Sequence, residues 1–385
     1  MSHISDQERR RRIGVRHRLA PGARASSLTE TAASMVVLHA TDPAGLFLEA
    51  RARMTGSSPA SISRELYDDR TVFRLWAMRR TLFLAAIDDV PVIVAAASRA
   101  VAETERRRTL GMLADAGFGP EAARLLGELE AIGLEAIRAR GEAATAELRQ
   151  LDPRLDRRIT TSPGTSYEGT ISVASKVAFH LALDGHIGRD RPRGTWISGQ
   201  FRWSPVERWL PDGIRELPVD AARAELVRRW LLTFGPGTRD DIAWWTGWGV
   251  GPTRQALAAV GAVEVRLDDG QVGYVLPDDL EATPEPEPWV ALLPVLDATT
   301  MGWKDRGWYL GPHRAALFDG AGNAGPTIWV EGRIVGGWAP RPSGEIAVRL
   351  LESIDAEAAG MIDAEAARLA SWLGPTRIKW PFPPP

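Results

Sequence analysis

The sequence of 385 residues predicts an α+β protein, mainly α-helical, made of tandem winged-helix domains (helix-turn-helix plus β-hairpin wing) and a C-terminal β-rich domain. Three observations predict this class. A pattern of three short helices followed by a hairpin recurs along the chain. The chain is too long for one core of ordinary size. A Pro- and Glu-rich segment at 281–288 then precedes a region rich in β-branched and aromatic residues.

The domain boundaries are predicted from the breaks between these patterns. They are a basic N-terminal arm (1–24), winged helix 1 with the candidate site (25–88), a helical connector (89–140), winged helix 2 (141–212), winged helix 3 (213–282), and a C-terminal β-rich domain with a closing helix (283–385).

Composition excludes several classes of protein. The absence of cysteine excludes disulfides, thiolate nucleophiles and cysteine-based metal sites. No apolar run approaches the roughly 20 residues of a membrane span, and the polar N-terminus is unlike a signal peptide. We therefore expect a cytoplasmic monomer without a cofactor. The net charge of −2 argues against a uniformly basic binder, although nearly all cations are arginine. That bias suits DNA contacts, and GC-rich codon usage is the simpler explanation.

Residues 1–24 are arginine-rich, with only Asp6 and Glu8 as acids. A solvated, partly disordered arm is the plain interpretation, and a phosphate-contacting arm is the functional alternative.

In the first unit, two helical patterns meet at the polar segment 39–43. Asp42 is a suitable N-cap and Pro43 suits a first helical turn. His39 and Thr41 are two residues apart, so in an extended segment an imidazole and a hydroxyl point the same way. The alternative is that His39 caps a helix and packs at a joint. A short helix near 62–66 follows.

The segment Thr71–Ala86 reads as two strands around Met78-Arg79-Arg80, which places Arg79 and Arg80 at the wing turn. Residues 90–140 are predicted to be helical, with a break at 117–120.

The pattern then recurs in a second unit. Helix is expected at 142–151, a loop at 157–169, and an amphipathic helix at 172–183 that turns Ser172, Ser175 and Lys176 outward. A hairpin at 186–203 carries Arg189, Arg191 and Arg193 at its tip.

The third unit has the clearest pattern. Helices are predicted at 221–234, 239–246 and 253–260, and a hairpin follows with the turn Asp269-Gly270. Beyond the linker we expect strands at 289–297 and 327–338, a closing helix at 356–373 and a Pro-rich tail at 381–385.

Winged helices most often bind DNA through the third helix and the wing, and they also serve as protein-interaction modules. No metal motif, serine elbow or phosphate loop is present. The candidate DNA contacts are Arg51, Arg79, Arg80, Ser172, Ser175, Lys176, Arg189, Arg191 and Arg193.

Four segments carry a specific resemblance. They are VVLHATDPAGLFLEARARM (36–54), RLWAMRRTLFLAA (74–86), LLPVLDATTMGWKDR (292–306) and GPTIWVEGRIVGGW (325–338). Together they resemble the AlkZ/YcaQ-type winged-helix DNA glycosylases, whose first segment holds a Gln-x-Gln or Gln-x-Asp pair. That pair falls on His39 and Thr41, and the change of both residues is the main departure from the family.

The resemblance implies a monofunctional DNA glycosylase. Its expected partner is double-stranded DNA carrying cationic N7-alkylguanine, including bulky natural-product adducts, in repair or self-resistance. The resemblance also implies that the enzyme reaches the lesion from an open channel rather than by enclosing the base in a pocket. His39 would be the acceptor or base for the attacking water and Thr41 a second acceptor. The rival hypotheses are a non-catalytic DNA-binding regulator or lesion sensor, and a protein-interaction module.

Overall fold

The computed structural model describes residues 1–165 and 168–380. Helices and short sheets alternate up to the linker, and a four-stranded sheet dominates the C-terminal region. The predicted α+β class is therefore confirmed. The predicted tail at 381–385 lies outside the described residues. Among those residues, no helix is both long and apolar enough to cross a bilayer.

The N-terminal segment is folded against the body of the protein. It contains strand β1 (Ser2–His3) and helix α1 (Asp6–Arg16). Arg9 stacks over the ring of Trp308 at 3.8 Å, and buried Arg12 bonds to Glu8 at 2.8 Å and Asp279 at 3.0 Å. The interpretation of 1–24 as a solvated arm is therefore wrong, because Arg9 and Arg12 are buried against distant parts of the chain.

The first unit follows the predicted order with one addition. Its elements are α2 (Leu28–Ser34), β2 (Leu38–His39), α3 (Pro43–Arg53), α4 (Pro59–Arg64), β3 (Val72–Trp76) and β4 (Leu82–Ala86). The short strand β2, which the sequence did not reveal, gives an antiparallel sheet of order β2-β4-β3. The Asp42 carboxylate accepts the Gly45 N–H at 2.6 Å, so the predicted cap of α3 is confirmed.

The connector is helical, as predicted. Its helices are α5 (Val90–Ile93), α6 (Arg99–Leu113) and α7 (Ala122–Arg140). The expected break contains Gly117 and Gly119, whose φ angles of 88° and 56° are accessible to glycine at little cost.

The second unit departs most from expectation. Its elements are α8 (Thr145–Leu148), α9 (Pro153–Asp156), β5 (Arg158–Thr161), β6 (Gly169–Ser172), α10 (Val173–Leu183), β7 (Ile187–Arg189) and β8 (Trp203–Pro205). The expected loop at 157–169 includes strand β5, which pairs with β6, so that prediction is wrong. The helix predicted at 142–151 shrinks to the single turn of α8.

Two side-chain placements in the second unit are also corrected. Ser172 and Lys176 are buried at 3% and 4% exposure rather than turned outward, because α10 is covered on several sides. Arg189 is not at a hairpin tip, since it lies in β7 opposite Trp203.

The third unit matches its prediction closely. Its elements are α11 (Val219–Phe234), β9 (Gly237–Thr238), α12 (Arg239–Thr246), α13 (Val250–Ala259), β10 (Val263–Arg266) and β11 (Val272–Val275). The hairpin turns at the predicted Asp269-Gly270, and β1 extends its sheet to the order β1-β10-β11-β9. A capping box between Thr238 and Asp241 starts α12.

The C-terminal region packs onto the first unit. Its elements are β12 (Val290–Leu293), α14 (Gly307–Leu310), α15 (Arg314–Leu317), β13 (Thr327–Val330), β14 (Arg333–Pro340), β15 (Ile346–Leu350) and α16 (Ala356–Leu373). The sheet order is β12-β13-β14-β15, and α16 covers it with the predicted bounds. Ala44 and Leu48 of α3 join the core of this region, so α3 packs in both the first unit and the C-terminal region.

Candidate active site

His39 and Thr41 line one cavity of about 310 Å³. The cavity lies where the first unit, the third unit and the C-terminal region meet. The residues around it are Val37, His39, Thr41, Arg79, Arg80, Thr81, Phe83, Trp245, Leu296, Ala298, Met301 and Asn323. The structure thus brings together the predicted catalytic pair and the two predicted wing-turn arginines.

Strand pairing fixes the position of His39. In β2, His39 lies opposite Phe83 of β4, and its imidazole meets the Phe83 ring edge-on with 6.0 Å between ring centroids. Thr41 is exposed and lies one residue before Asp42, the cap of α3. The segment is therefore a strand end followed by a helix cap, rather than the expected joint between two helices.

The environment of His39 keeps its imidazole neutral. Burial, and secondly the positive charge of Arg79, lower the pKa of His39 to about 4. Within the described residues, neither the His39 ring nor the Thr41 hydroxyl makes a hydrogen bond, so both remain available to a bound molecule. A neutral imidazole and a hydroxyl at one cavity are suited to accept hydrogen bonds from a water molecule.

The wing turn supplies the cation beside the cavity. Arg79 and Arg80 have backbone φ angles of 55° and 61°, a region that residues other than glycine rarely adopt. Arg79 stacks over Trp244 at 4.0 Å and, in the described part of the chain, has no carboxylate partner. Arg80 instead pairs with Glu105 at 3.0 Å. Of the two arginines that line the cavity, Arg79 is therefore the one without a carboxylate partner among the described residues.

The far wall comes from distant parts of the sequence. Trp245 lies in α12, whereas Leu296, Ala298 and Met301 follow β12, and Asn323 lies before β13. Sequence reasoning missed these residues as site members. For Leu296, Ala298 and Met301 the available signal was the segment 292–306, which carries part of the family resemblance.

Backbone strain is concentrated around the cavity. Leu296 has a φ of 58°, and Val36, next to the lining residue Val37, has a φ of 64°. A positive φ is costly for a β-branched residue, and such strain is commonly retained at functional sites.

Three predicted DNA contacts have other roles in the fold. Arg51 pairs with buried Glu365 of α16, and its side chain is only 10% exposed, so the prediction of a DNA contact loses its basis. Ser172 caps α10 and bonds to the hydroxyl of Ser175 at 2.9 Å. Lys176 lies over the ring of Phe179 at 5.4 Å, where burial lowers its pKa.

The remaining predicted arginines lie away from the cavity. Arg191 and Arg193 form exposed ion pairs with Asp68 at 2.7 Å and Glu147 at 3.2 Å. Such pairs are weak and can exchange a carboxylate for a phosphate. Arg189 packs over the rings of Trp76, Phe201 and Trp203 at 4.9 to 5.7 Å.

Stacked cations and rings connect Arg189 to Arg80, which lines the cavity. Arg80 lies 5.9 Å from the Phe179 ring, Phe179 meets Trp76 edge-on at 5.3 Å, and Trp76 lies beneath Arg189. Where the structure describes the chain, no group of three or more acidic or histidine side chains is placed to hold a metal ion.

Similarity to known proteins concerns the fold and the family of the chain. The Streptomyces sahachiroi DNA glycosylase AlkZ superposes with a TM-score of 0.71 over 96% of this chain and 97% of that chain, at 20% identity, which shows a shared fold. A comparison with curated protein sequences gives no significant match. A family model described as DNA glycosylase AlkZ-like matches residues 32–372. Because that match spans nearly the whole chain, the protein belongs to the AlkZ-like DNA glycosylase family.

Proposed function

We propose that the protein is a monofunctional glycosylase that hydrolyses the N-glycosidic bond of cationic N7-alkylguanine in double-stranded DNA. One observation carries the proposal: His39 and Thr41, the positions on which the family's glutamine pair falls by resemblance, line one cavity beside Arg79, which has no carboxylate partner among the described residues. In this proposal the enzyme acts in the cytoplasm as a monomer and without a cofactor.

The chemistry requires little from the protein. The C1′–N9 bond breaks with its electron pair passing to the cationic base, which leaves as a neutral molecule, so no general acid is needed. The sugar becomes oxocarbenium-like, and a water oxygen bonds to C1′. That water loses a proton to His39, which passes it to solvent. A base with a pKa of about 4 suffices, because water bonded to a cationic carbon becomes strongly acidic.

In this scheme the Thr41 hydroxyl oxygen accepts a hydrogen bond from the second O–H of the same water. Arg79 receives the phosphate beside the lesion, and the exposed Arg191 and Arg193 bind more distant phosphates. None of the described residues around the cavity is a lysine. A Schiff-base lyase step needs such an amine, so this supports the monofunctional assignment.

The dimensions of the cavity bear on substrate range. About 310 Å³ is at the small end of ligand sites. We propose that an alkylated base fits within it and that a bulky adduct extends through its open side into the groove. Such adducts would make the enzyme useful in repair or in self-resistance to a DNA-alkylating natural product.

A second candidate is a non-catalytic lesion sensor. It is favoured by the loss of both glutamines, because a binding protein would retain the arginines without the water-placing pair. A lesion sensor would bind alkylated duplexes and release no base.

A panel of duplexes separates the two functions. Duplexes bearing 7-methylguanine, a bulky N7 adduct or unmodified guanine are incubated with the protein and then cleaved with alkali. We expect strand cleavage at the alkylated guanines only. Binding without cleavage on every alkylated duplex would instead support the lesion sensor.

A further inference from the structure

A buried carboxylate in α3 connects two walls of the cavity. Glu49 is 1% exposed. Its Oε2 accepts the backbone N–H of His39 at 3.0 Å, and its Oε1 accepts the backbone N–H of Ala298, also at 3.0 Å. His39 belongs to the first unit and Ala298 to the C-terminal region, and both line the cavity. One side chain therefore spans the boundary at which the cavity forms.

The next turn of α3 strengthens the same connection. Arg53 forms a fully buried ion pair with Asp297 at 2.7 Å, and it donates to the Thr299 hydroxyl at 2.7 Å. It also donates to the backbone carbonyl of Glu49 at 2.9 Å. The segment 297–299 is therefore held on α3 by a carboxylate and a guanidinium one helical turn apart.

We propose that Glu49 is a positioning residue for base excision, whose carboxylate sets the spacing between the His39 wall and the Ala298 wall. This inference rests on the proposed function. The water that attacks C1′ must lie within hydrogen-bond reach of His39 while the sugar is held against the far wall. A displacement of about 1 Å between such groups costs about a hundredfold in rate.

The chemistry of the contact explains why a carboxylate is needed. Each oxygen accepts one N–H, and both bonds are strengthened by negative charge. A glutamine offers one carbonyl oxygen, so its amide N–H₂ would face a backbone N–H and one wall would be released. Burial, and secondly the charge of Asp297, raise the pKa of Glu49, whereas the charge of Arg53 and the two backbone N–H donors favour its ionised form. Burying the Glu49 carboxylate thus lowers the stability of the folded protein, as residues retained for function often do.

The test compares Glu49→Gln with Glu365→Gln in the full-length protein. Glu365 is a matched control, because it is also a buried carboxylate that bonds to α3, through Arg51. Unlike the partners of Glu49, Arg51 does not line the cavity. Single-turnover release of 7-methylguanine and duplex affinity are measured for each variant. For Glu49→Gln we expect a rate at least about tenfold lower with affinity within about twofold of wild type. Glu365→Gln should stay within about twofold in both.

A second measurement does not depend on activity. The amide proton resonances of His39 and Ala298 should both move upfield in Glu49→Gln, since each loses a charge-assisted bond or exchanges it for a weaker one, and neither should move in Glu365→Gln. Glu49→Asp serves if Glu49→Gln does not fold, because it keeps the charge but is too short to reach both amides. Its rate should also fall.

The inference would be overturned by wild-type rates in Glu49→Gln or Glu49→Asp. It would also be overturned if the rate fell only in parallel with duplex affinity, or if both amide resonances stayed in place. A wild-type protein that releases no base from any alkylated duplex would overturn the proposed function instead. In that case the amide shifts would still report whether Glu49 holds both walls.

Discussion

The first and third units share one architecture, and only the first contains a candidate catalytic pair. Each has the order helix, short strand, helix, helix, hairpin, and the sheets have matching orders, β2-β4-β3 and β9-β11-β10. The two units differ just before the second helix. In the third unit the strand residue Thr238 is itself the cap of α12. In the first unit Ala40 and Thr41 separate the strand residue His39 from the cap Asp42.

This difference indicates how a site arises in a repeated unit. Two extra residues between strand and cap carry a hydroxyl into the space beside the imidazole. The third unit, with no such residues, supplies Trp244 from α12 as the stacking partner of Arg79 and Trp245 as part of the cavity wall. The wings differ as well, since the first turn holds Arg79 and Arg80 and the third holds Asp269.

The largest expected effect concerns the attachment of the first unit to the C-terminal region. Arg53→Met leaves the Asp297 carboxylate buried without its partner, so we expect the free energy of unfolding to fall by about 3–5 kcal/mol. Urea denaturation measures it. The third unit offers the comparison, because Asp240 pairs with Lys304 at the exposed surface, and Lys304→Met should cost no more than about 1 kcal/mol. Equal losses would show that the buried pair has no special role.

The extra residues before α3 are tested with Thr41→Val, which removes the hydroxyl and keeps the shape. We expect base release to slow by about tenfold while duplex affinity is unchanged, since one acceptor for the water is lost. Single-turnover kinetics measure the rate. Thr104→Val, on the exposed face of α6, is the matched control. An unchanged rate in Thr41→Val would remove Thr41 from the site.

The contrast between the wings is tested by salt dependence. Arg79→Gln should weaken duplex binding a few-fold and reduce the slope of log affinity against log salt by about one, because one phosphate contact is lost. In the third wing, Asp269→Asn should leave that slope unchanged. Fluorescence anisotropy over a salt series measures both. A slope in Arg79→Gln equal to that of wild type would show that Arg79 does not contact a phosphate.

The smallest effect is expected from pH in the neutral range. Because the pKa of His39 is lowered to about 4, the imidazole stays unprotonated from pH 8 to about 5, and the rate of base release should be flat there. It should fall as pH approaches about 4. The same lowered pKa makes His39 destabilising in acid, because only the unfolded chain takes up its proton between about pH 6.5 and 4. A midpoint near 6.5 in the rate profile would contradict the assigned environment.

Local signals predicted much of the fold. The cap at Asp42, the turn at Asp269-Gly270 and the bounds of α16 follow from rules that act within a few residues. Strands β2 and β9 were missed, because strands of two residues exist only through pairing with distant partners. The arginines of α1 were taken as solvated, since their partners Asp279 and Trp308 lie far along the chain.

The site was predictable only in part, because some of its residues are marked by local signals and others depend on distant contacts. His39 and Thr41 stood out by spacing and resemblance, and Arg79 by its place in a turn. The far wall of the cavity and Glu49 did not, because their roles depend on how the C-terminal region docks on α3.

The central claim is that His39 places the water that releases the base. Its most direct test is single-turnover release of 7-methylguanine from a duplex at neutral pH by wild-type protein and by His39→Ala, with duplex affinity measured on the same samples. The account expects His39→Ala to lose at least about a hundredfold in rate while binding the duplex as tightly as wild type. Base release by His39→Ala at the wild-type rate would contradict it.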